Sequence, residues 1–321
     1  MKILVTGGAG YIGSFMVKHL LDTNHDVVVV DSGERGYEDK VDPRALFKKG
    51  NLLDKEFVKS LFREHFDGVI HFAAYISMGE SMQNPYIYFD NNIMASLNLL
   101  EEMRNNNVNN FIFSSTAGVY GNPMQTPIPE DHVKNPQNPY GESKLVVEKI
   151  LNWYAKTREL SYVVLRYFNA GGAALNGTMG EKHNPETHII PAIISAAKVD
   201  KEFILFGDDY NTPDGTCVRD YIHVLDLVEA HMLALKKLQE DPGQHIYNVG
   251  TGIGHSNREV IDVVKKITKL PLKVSFMNRR PGDADTLIAD VTKIKDELGF
   301  SPKYSDIETV VSSAWEWHKN N

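Results

Sequence analysis

The chain opens on KILVTGGAGYIG, Lys2 to Gly13, and this stretch decides the fold. Lys2 to Thr6 reads as a short strand and Gly13 to Asp22 as a helix. Between them Gly7, Gly10 and Gly13 stand in G-x-x-G-x-x-G spacing. In a strand-turn-helix the first glycine permits the tight turn, the second lets backbone approach a pyrophosphate, and the third lets the helix pack close to the strand. Backbone N–H groups and the helix dipole then meet the phosphates. A second strand, Asp26 to Asp31, contains four consecutive valines. Asp31 closes it, where a carboxylate can accept both ribose hydroxyls of an adenosine and repel a 2′-phosphate, so NAD is expected over NADP. Arg35 argues the other way, because an arginine just past this strand can receive that phosphate; Asp31 weighs more.

The alternation continues outward. Gly68 to Phe72, Asn110 to Ser114 and Tyr162 to Arg166 read as strands, and Met94 to Asn105 and Ser143 to Arg158 as helices. Unbroken β-branched runs suit strands covered on both faces, and the βαβ rhythm implies a doubly wound, Rossmann-type parallel sheet. After about Asn169 the rhythm loosens into a mixed α/β region. Gly171 to Asn184 reads as a loop, Ile189 to Val199 as a helix and Phe203 to Phe206 as a strand. Ser256 with Glu259 forms a capping box for a helix over Arg258 to Thr268. The later string Gly250 to Gly254 reads as a loop before that cap. The expected organisation is a cofactor-binding domain over 1–170 and a smaller substrate-binding domain over 171–321, with the chain free to cross back and substrate bound in the crevice between them.

The 321 residues are 42% hydrophobic and 24% charged, which excludes disorder, collagen and coiled coil as the main state. A net charge of −8 argues against nucleic acid or an anionic membrane as partner. No apolar run approaches a membrane span, and no export signal is legible, so a cytoplasmic location is expected. Cys217, the lone cysteine, can form neither an internal disulfide nor a thiolate zinc site, and no metal is expected.

Tyr140-Gly141-Glu142-Ser143-Lys144 places Tyr140 and Lys144 on one face at a helix start. An unperturbed tyrosine is a poor base near neutrality. A lysine ammonium beside it, together with a nicotinamide cation, lowers its pKa. Ser114-Ser115-Thr116 ends the preceding predicted strand, where an open sheet places its catalytic groups.

These motifs resemble the extended short-chain dehydrogenase/reductase family, and within it the UDP-hexose 4-epimerases. The likeness runs through TGGAGYIG (Thr6 to Gly13), HFAA (His71 to Ala74), FDNN (Phe89 to Asn92), FSSTAGVYG (Phe113 to Gly121) and NPYGESK (Asn138 to Lys144). It continues in LRYFNAGGA (Leu165 to Ala173), DGTCVRDYIHV (Asp214 to Val224) and RRPGD (Arg279 to Asp283). It implies a reaction without net redox change: Tyr140 takes the proton of the sugar 4-hydroxyl as hydride passes to NAD, the 4-keto sugar turns, and hydride returns to the other face. Lys144 is implied to hold the nicotinamide ribose and lower the tyrosine pKa, and Thr116 to bond the 4-oxygen. Cofactor contacts are implied for Gly7, Gly10, Tyr11, Ile12, Gly13, Asp31, Ser32, Asn51, Leu52, Phe72, Ala73, Ala74, Asn92, Ser114 and Tyr167, besides Tyr140 and Lys144. Substrate contacts are implied for Asn169, His188 and Arg219 at the diphosphate, for Arg280 at the diphosphate and ribose, for Asp283 at the ribose and for Phe206 at the uracil. Arg219 beside Asp220 also reads as a structural ion pair, and Phe206 as a core aromatic.

The chain departs from the family pattern at Asn51 (usually aspartate), at Ile76 (often lysine, so a charge contact to the cofactor is lost) and at His188 (often asparagine). Ala117 and Gly118 stand where 4,6-dehydratases carry an acid–glutamate pair, which removes elimination from the expected chemistry. Uronate 4-epimerisation is the nearest enzymatic alternative. A non-catalytic NAD-sensing regulator is the alternative of another class. Leu287, in place of a bulky aromatic wall, leaves room for N-acetylated sugars. Family members are usually homodimers joined by two helices per subunit, and Val146, Val147, Ile150, Leu151 and Tyr154 offer an apolar stripe that ordinary packing would also explain.

Overall fold

The computed structural model describes residues 1–280 and 282–321. Pro281, inside the RRPGD segment, lies outside the described residues. The chain divides into two compact units. The first is Met1–Val119, Asn138–Arg166 and Ala230–Tyr247; the second is Tyr120–Gln137, Tyr167–Glu229 and Asn248–Asn321. The expected boundary near 170 lies beside the 166/167 changeover, while 120–137 and 230–247 cross it.

The first unit is built on a seven-stranded sheet. Its strands are β1 (Lys2–Thr6), β2 (Asp26–Asp31), β3 (Leu46–Lys49), β4 (Gly68–His71), β5 (Asn110–Thr116), β6 (Ser161–Tyr167) and, from a later stretch of chain, β10 (Gln244–Val249). Their order is β10-β6-β5-β4-β1-β2-β3. The pairs from β3 to β5 are parallel, with Ile3 opposite Val27 and Val5 opposite both Val29 and Ile70. The valine run of β2 is buried from Val27 to Val30, as a strand covered on both faces requires. Around the sheet run α1 (Tyr11–Asp22), α2 (Lys55–Leu61), α3 (Met78–Gln83), α4 (Pro85–Phe89), α5 (Ala95–Asn105), α6 (Pro139–Arg158) and the long α8 (Val224–Glu240). Leu4, Val28, Val69, Leu99, Phe111, Val147 and Leu151 share one core. Strand order reverses direction between β1 and β4, the switch point where an open α/β sheet binds its ligand.

The second unit centres on β9 (Val218–His223), flanked by β7 (Asn169–Gly171), β11 (Gly254–Ser256) and β13 (Thr286–Leu287). A separate parallel pair joins β8 (Phe203–Phe206) to β12 (Val274–Met277). Helices α7 (Ile189–Lys198), α9 (Asn257–Thr268) and α11 (Ile307–His318) bury Ile190, Ile194, Val260, Val264, Val310 and Val311 together, while α10 (Thr292–Leu298) follows β13. The capping box at Ser256 and Glu259 is present. The string Gly250 to Gly254 is not wholly a loop: Gly254 begins β11, because its backbone pairs with Asp220 of β9. No helix among the described residues is long and apolar enough to cross a membrane.

Several helix starts differ from the sequence reading: α1 begins at Tyr11 rather than Gly13, and α9 at Asn257 rather than Arg258. Helix α6 begins at Pro139, not Ser143, since proline is tolerated in a first turn and Asn138 caps it by accepting from Gly141 N at 2.9 Å. Ahead of α5, Asp90–Met94 adopts a π-helical turn rather than continuing an α-helix.

Candidate active site

The glycine turn closes tightly against the loop after β4. Gly7 has φ +72°, and a Cβ there would stand 2.6 Å from Ala73 N; a Cβ on Gly13 would stand 2.2 Å from Gly7 O. These positions therefore exclude side chains for reasons of packing. Gly10 differs: a Cβ there would meet only Gly7 O, at 3.2 Å, so its outer face is open to an approaching group. Helix α1 starts directly after Gly10 with no side-chain cap and no acidic residue in its first turn. An uncapped N-terminus beside an open glycine, at the sheet's switch point, fits a pyrophosphate. Phe72, Ala73 and Ala74 line the facing loop, half-buried, with the Phe72 ring 4.9 Å from that of His231.

Asp31 ends β2 half-buried, accepting from Ala9 N (3.1 Å) and Gly33 N (2.9 Å). Burial raises its pKa, and the two backbone donors oppose that rise. Arg35 does not stand free for a 2′-phosphate. Its fork is held by both oxygens of Glu80, at 2.7 and 2.8 Å, and its guanidinium lies 3.9 Å from the Tyr75 ring centre. That engagement supports the expectation of NAD. Asn51 uses its amide nitrogen on Glu34 and accepts from Leu53 N at 2.9 Å. Ser32 accepts from Glu34 N, and buried Leu52 presents its carbonyl to Asn98. Ile76 is exposed.

Asn92 is engaged within the protein. Its two amide hydrogens go to Tyr75 O (3.1 Å) and Ser143 Oγ (3.0 Å), and its oxygen accepts from Tyr75 N (2.8 Å) and Asn91 (3.0 Å). All four hydrogen-bonding positions of its amide are used within the protein. The π-helical turn aims Asn92 inward, where it ties the post-β4 loop to α6.

Tyr140, Lys144 and Glu148 stand four residues apart along α6 and share one face. Each reaches the carboxyl end of β5, which runs two residues further than expected, to Thr116. Lys144 Nζ donates to Ser114 O at 2.8 Å. Thr116 Oγ1 accepts from Gly118 N at 3.0 Å, and its hydroxyl hydrogen-bonds Tyr140. Glu148 accepts from Ser115 Oγ (2.5 Å) and holds Arg166 of β6 through Nε (3.0 Å) and Nη2 (2.6 Å). Arg166 and Glu148 are buried, at 2% and 6% exposure. This pair bolts the catalytic helix to two central strands, and the sequence reading missed it; the four-residue ladder 140–144–148 was the available signal.

Burial sets the electrostatics of the pair. It pushes Tyr140 up to about 12, against the Thr116 hydrogen bond, and pulls Lys144 down to about 7. The expected lowering at Tyr140 is thus not a property of the protein's own groups alone. A phenolate here needs an added positive charge to offset desolvation.

In the second unit, β9 alternates its side chains between faces. Arg219 points its Nη1 to Val218 O (2.9 Å), whereas Asp220 accepts from Thr251 N and Oγ1, Gly252 N and Ala289 N. The alternative of an Arg219–Asp220 ion pair is not realised; Asp220 instead folds the Gly250–Gly252 loop around itself. Arg280 lies 4.8 Å from the Phe206 ring centre and 3.4 Å from Asp283, so these three predicted residues come together. Arg219 and Asp283 both act electrostatically on Cys217 and Tyr210, which places them in one neighbourhood. Cys217 is buried, and burial raises its thiol pKa, consistent with a packed residue. Asn169 opens β7 opposite Tyr221 of β9, Leu287 pairs in register with Arg219, and Tyr167 closes β6. His188 ends its loop at α7, bonded through Nδ1 to Glu181.

Comparison with known proteins places these features. Residues 3–250 match the NAD dependent epimerase/dehydratase family. The chain is 47% identical over 324 residues to the UDP-glucose 4-epimerase of Streptococcus mutans, covering 100% of this chain and 97% of that one. It is 46% identical over 323 residues to that of Lactobacillus helveticus, covering 100% and 98%. Among solved structures, the UDP-glucose 4-epimerase of Bifidobacterium longum in complex with NAD+ and UDP superposes with a TM-score of 0.95 at 36% identity, covering 100% and 99%. The Brucella ovis enzyme in complex with NAD gives 0.94 at 42% identity, covering 98% of each chain. With the glycine turn, Asp31 and the Tyr140–Lys144 face in place, the chain belongs to the NAD dependent epimerase/dehydratase family.

Proposed function

We propose that the protein interconverts UDP-glucose and UDP-galactose by NAD-dependent epimerisation at the sugar 4-position. The observation that carries the reading is the single face of α6 that brings Tyr140 and Lys144 against Thr116 and Ser114 at the end of β5. When bound, NAD+ supplies the hydride acceptor and the positive charge that the buried tyrosine lacks. Tyr140 removes the 4-hydroxyl proton and returns it, Thr116 orients the 4-oxygen by hydrogen bonding, and Lys144 holds the ribose near Ser114. Arg219 and Arg280 hold the diphosphate, Asp283 the uridine ribose, and Phe206 the base, with Asn169 and His188 as further phosphate contacts. Ala117 and Gly118 carry no acid or base, so the 4-keto sugar is reduced again and not dehydrated. Leu287 beside Arg219 supports acceptance of N-acetylated sugars as well.

The test is Tyr140→Phe. Conversion of UDP-galactose to UDP-glucose should fall by at least about 10²-fold, with NAD binding kept. Turnover at the wild-type rate removes Tyr140 as the base, and NAD binding without conversion by the wild type favours the regulator.

The assembly is read as a cytoplasmic homodimer. Val147 and Leu151 of the expected stripe belong to the core, and Ile150 and Tyr154 pack against it. The surface left for a second copy is carried by exposed Trp153 of α6 and by exposed Phe89 and Met94 on elements packed against α6. Light scattering on the eluted protein checks the dimer.

A further inference from the structure

The loop leading into α7 gathers four metal-ligating side chains within eight residues: Glu181, His183, Glu186 and His188. One ligand atom from each lies within 4.8 Å of all the others, the only such group among the described residues. His183 Nδ1 stands 3.2 Å from Glu181 Oε1 and 3.6 Å from Glu186 Oε1. These separations bracket roughly 3.4 Å, the edge of a tetrahedron with metal–ligand bonds of about 2.0–2.2 Å. The two imidazoles meet edge to face, with ring centres 5.2 Å apart, and both Nδ1 atoms turn toward the same carboxylate. His183 Nδ1 is buried between two carboxylates at ion-pair distance and is well aligned for a hydrogen bond with neither. A nitrogen aimed between carboxylate oxygens has the placement of a metal ligand.

The frame around these groups is already set. Glu181 is 4% exposed, and its carbonyl accepts from Trp317 Nε1 of α11 at 3.0 Å. Gly180 lies against the Trp317 ring, where a Cβ would approach to 2.3 Å. Glu186 Oε1 is oriented by Thr187 N (2.8 Å) and His188 N (2.9 Å). Such supporting contacts hold ligands in place before a metal arrives.

We propose that Glu181, His183, Glu186 and His188 bind one divalent transition-metal ion, with Zn²⁺ as the best match, closing the loop onto α7 and α11. Two imidazoles and two carboxylates suit a borderline cation, and four protein ligands make a closed structural site without an open position for chemistry. Metal binding replaces the His188 Nδ1 hydrogen bond to Glu181, and with Nδ1 on the metal His188 keeps its Nε2–H as a donor. The site does not depend on the epimerase reading.

The test uses the untagged full-length chain, stripped with chelator and titrated with Zn²⁺ against a chromophoric competitor, with bound metal counted by elemental analysis. One equivalent per chain is expected, with a raised unfolding temperature and tetrahedral ligand-field bands when Co²⁺ replaces Zn²⁺. Glu181→Gln and His183→Gln should each weaken binding more than about 100-fold, while His65→Gln, an exposed histidine of the other unit, should bind like wild type. Absence of stoichiometric binding by the wild type overturns the proposal, whatever the stability of the variants. Undiminished binding in both loop variants overturns it too.

Discussion

Glu148→Gln tests how the catalytic helix is held. Glu148 is the buried counter-charge of Arg166, with contacts at 2.6 and 3.0 Å, and it also accepts from Ser115 at 2.5 Å. Glutamine keeps the shape and leaves the Arg166 guanidinium buried without an opposing charge. Breaking one side of such a pair costs about 3–5 kcal/mol. At about 2–4 °C per kcal/mol for a unit of 150–250 residues, the unfolding temperature should drop by about 6–20 °C. Lys144 lies one turn before Glu148 and Tyr140 two turns before, so turnover of the remaining folded protein should fall as well. Glu148→Leu with Arg166→Met removes both charges, and apolar replacement of a whole buried pair is often neutral or stabilising. The double variant should therefore recover most of the loss, short of about 1 kcal/mol for the Ser115 hydroxyl left without its partner. Urea and thermal unfolding followed by circular dichroism read all three proteins. A single variant within about 1 kcal/mol of wild type, or a double variant no more stable than the single, would show that the Glu148–Arg166 pair does not hold the helix.

Two further outcomes follow from the site. Burial pulls Lys144 down to about 7 in the folded protein, against about 10.4 in the unfolded chain, so between those values the unfolded chain holds more protons and stability of the cofactor-free protein rises with pH. Tyr140 acts in the opposite sense above pH 10, because it stays protonated to about 12 only when folded. Lys144→Met should flatten the rise between pH 7 and 9, seen in urea unfolding at several pH values; an unchanged slope contradicts the assignment. Leu287→Tyr should lower turnover of UDP-N-acetylgalactosamine relative to UDP-galactose by about tenfold. An unchanged ratio would dispose of the size argument.

The first unit was legible because its signals are local. The glycine spacing, the valine run and the Tyr-x-x-x-Lys pair each lie within one element or one turn. What escaped depends on partners distant in sequence. Asn92 ties the loop after β4 to α6 through Tyr75 and Ser143, a role that its position in the sequence does not announce. Glu148 looks like a surface helix residue until β6 brings Arg166 beneath it. Strands β9, β11 and β13 are short and paired across long separations, so periodicity could not declare them. Glu181, His183, Glu186 and His188 are close in sequence, but only the turn of the chain into α7 brings their four side chains together.

In the proposed reaction hydride leaves the sugar 4-carbon and returns to that same carbon without net oxidation. UDP-galactose deuterated at carbon 4, incubated with the holoenzyme in ordinary water, reads this directly by mass spectrometry of the product. The expected product is UDP-glucose that keeps its deuterium at carbon 4, with no reduced cofactor accumulating. Product that has exchanged the label with solvent, or a 4-keto sugar released as the end product, would contradict it.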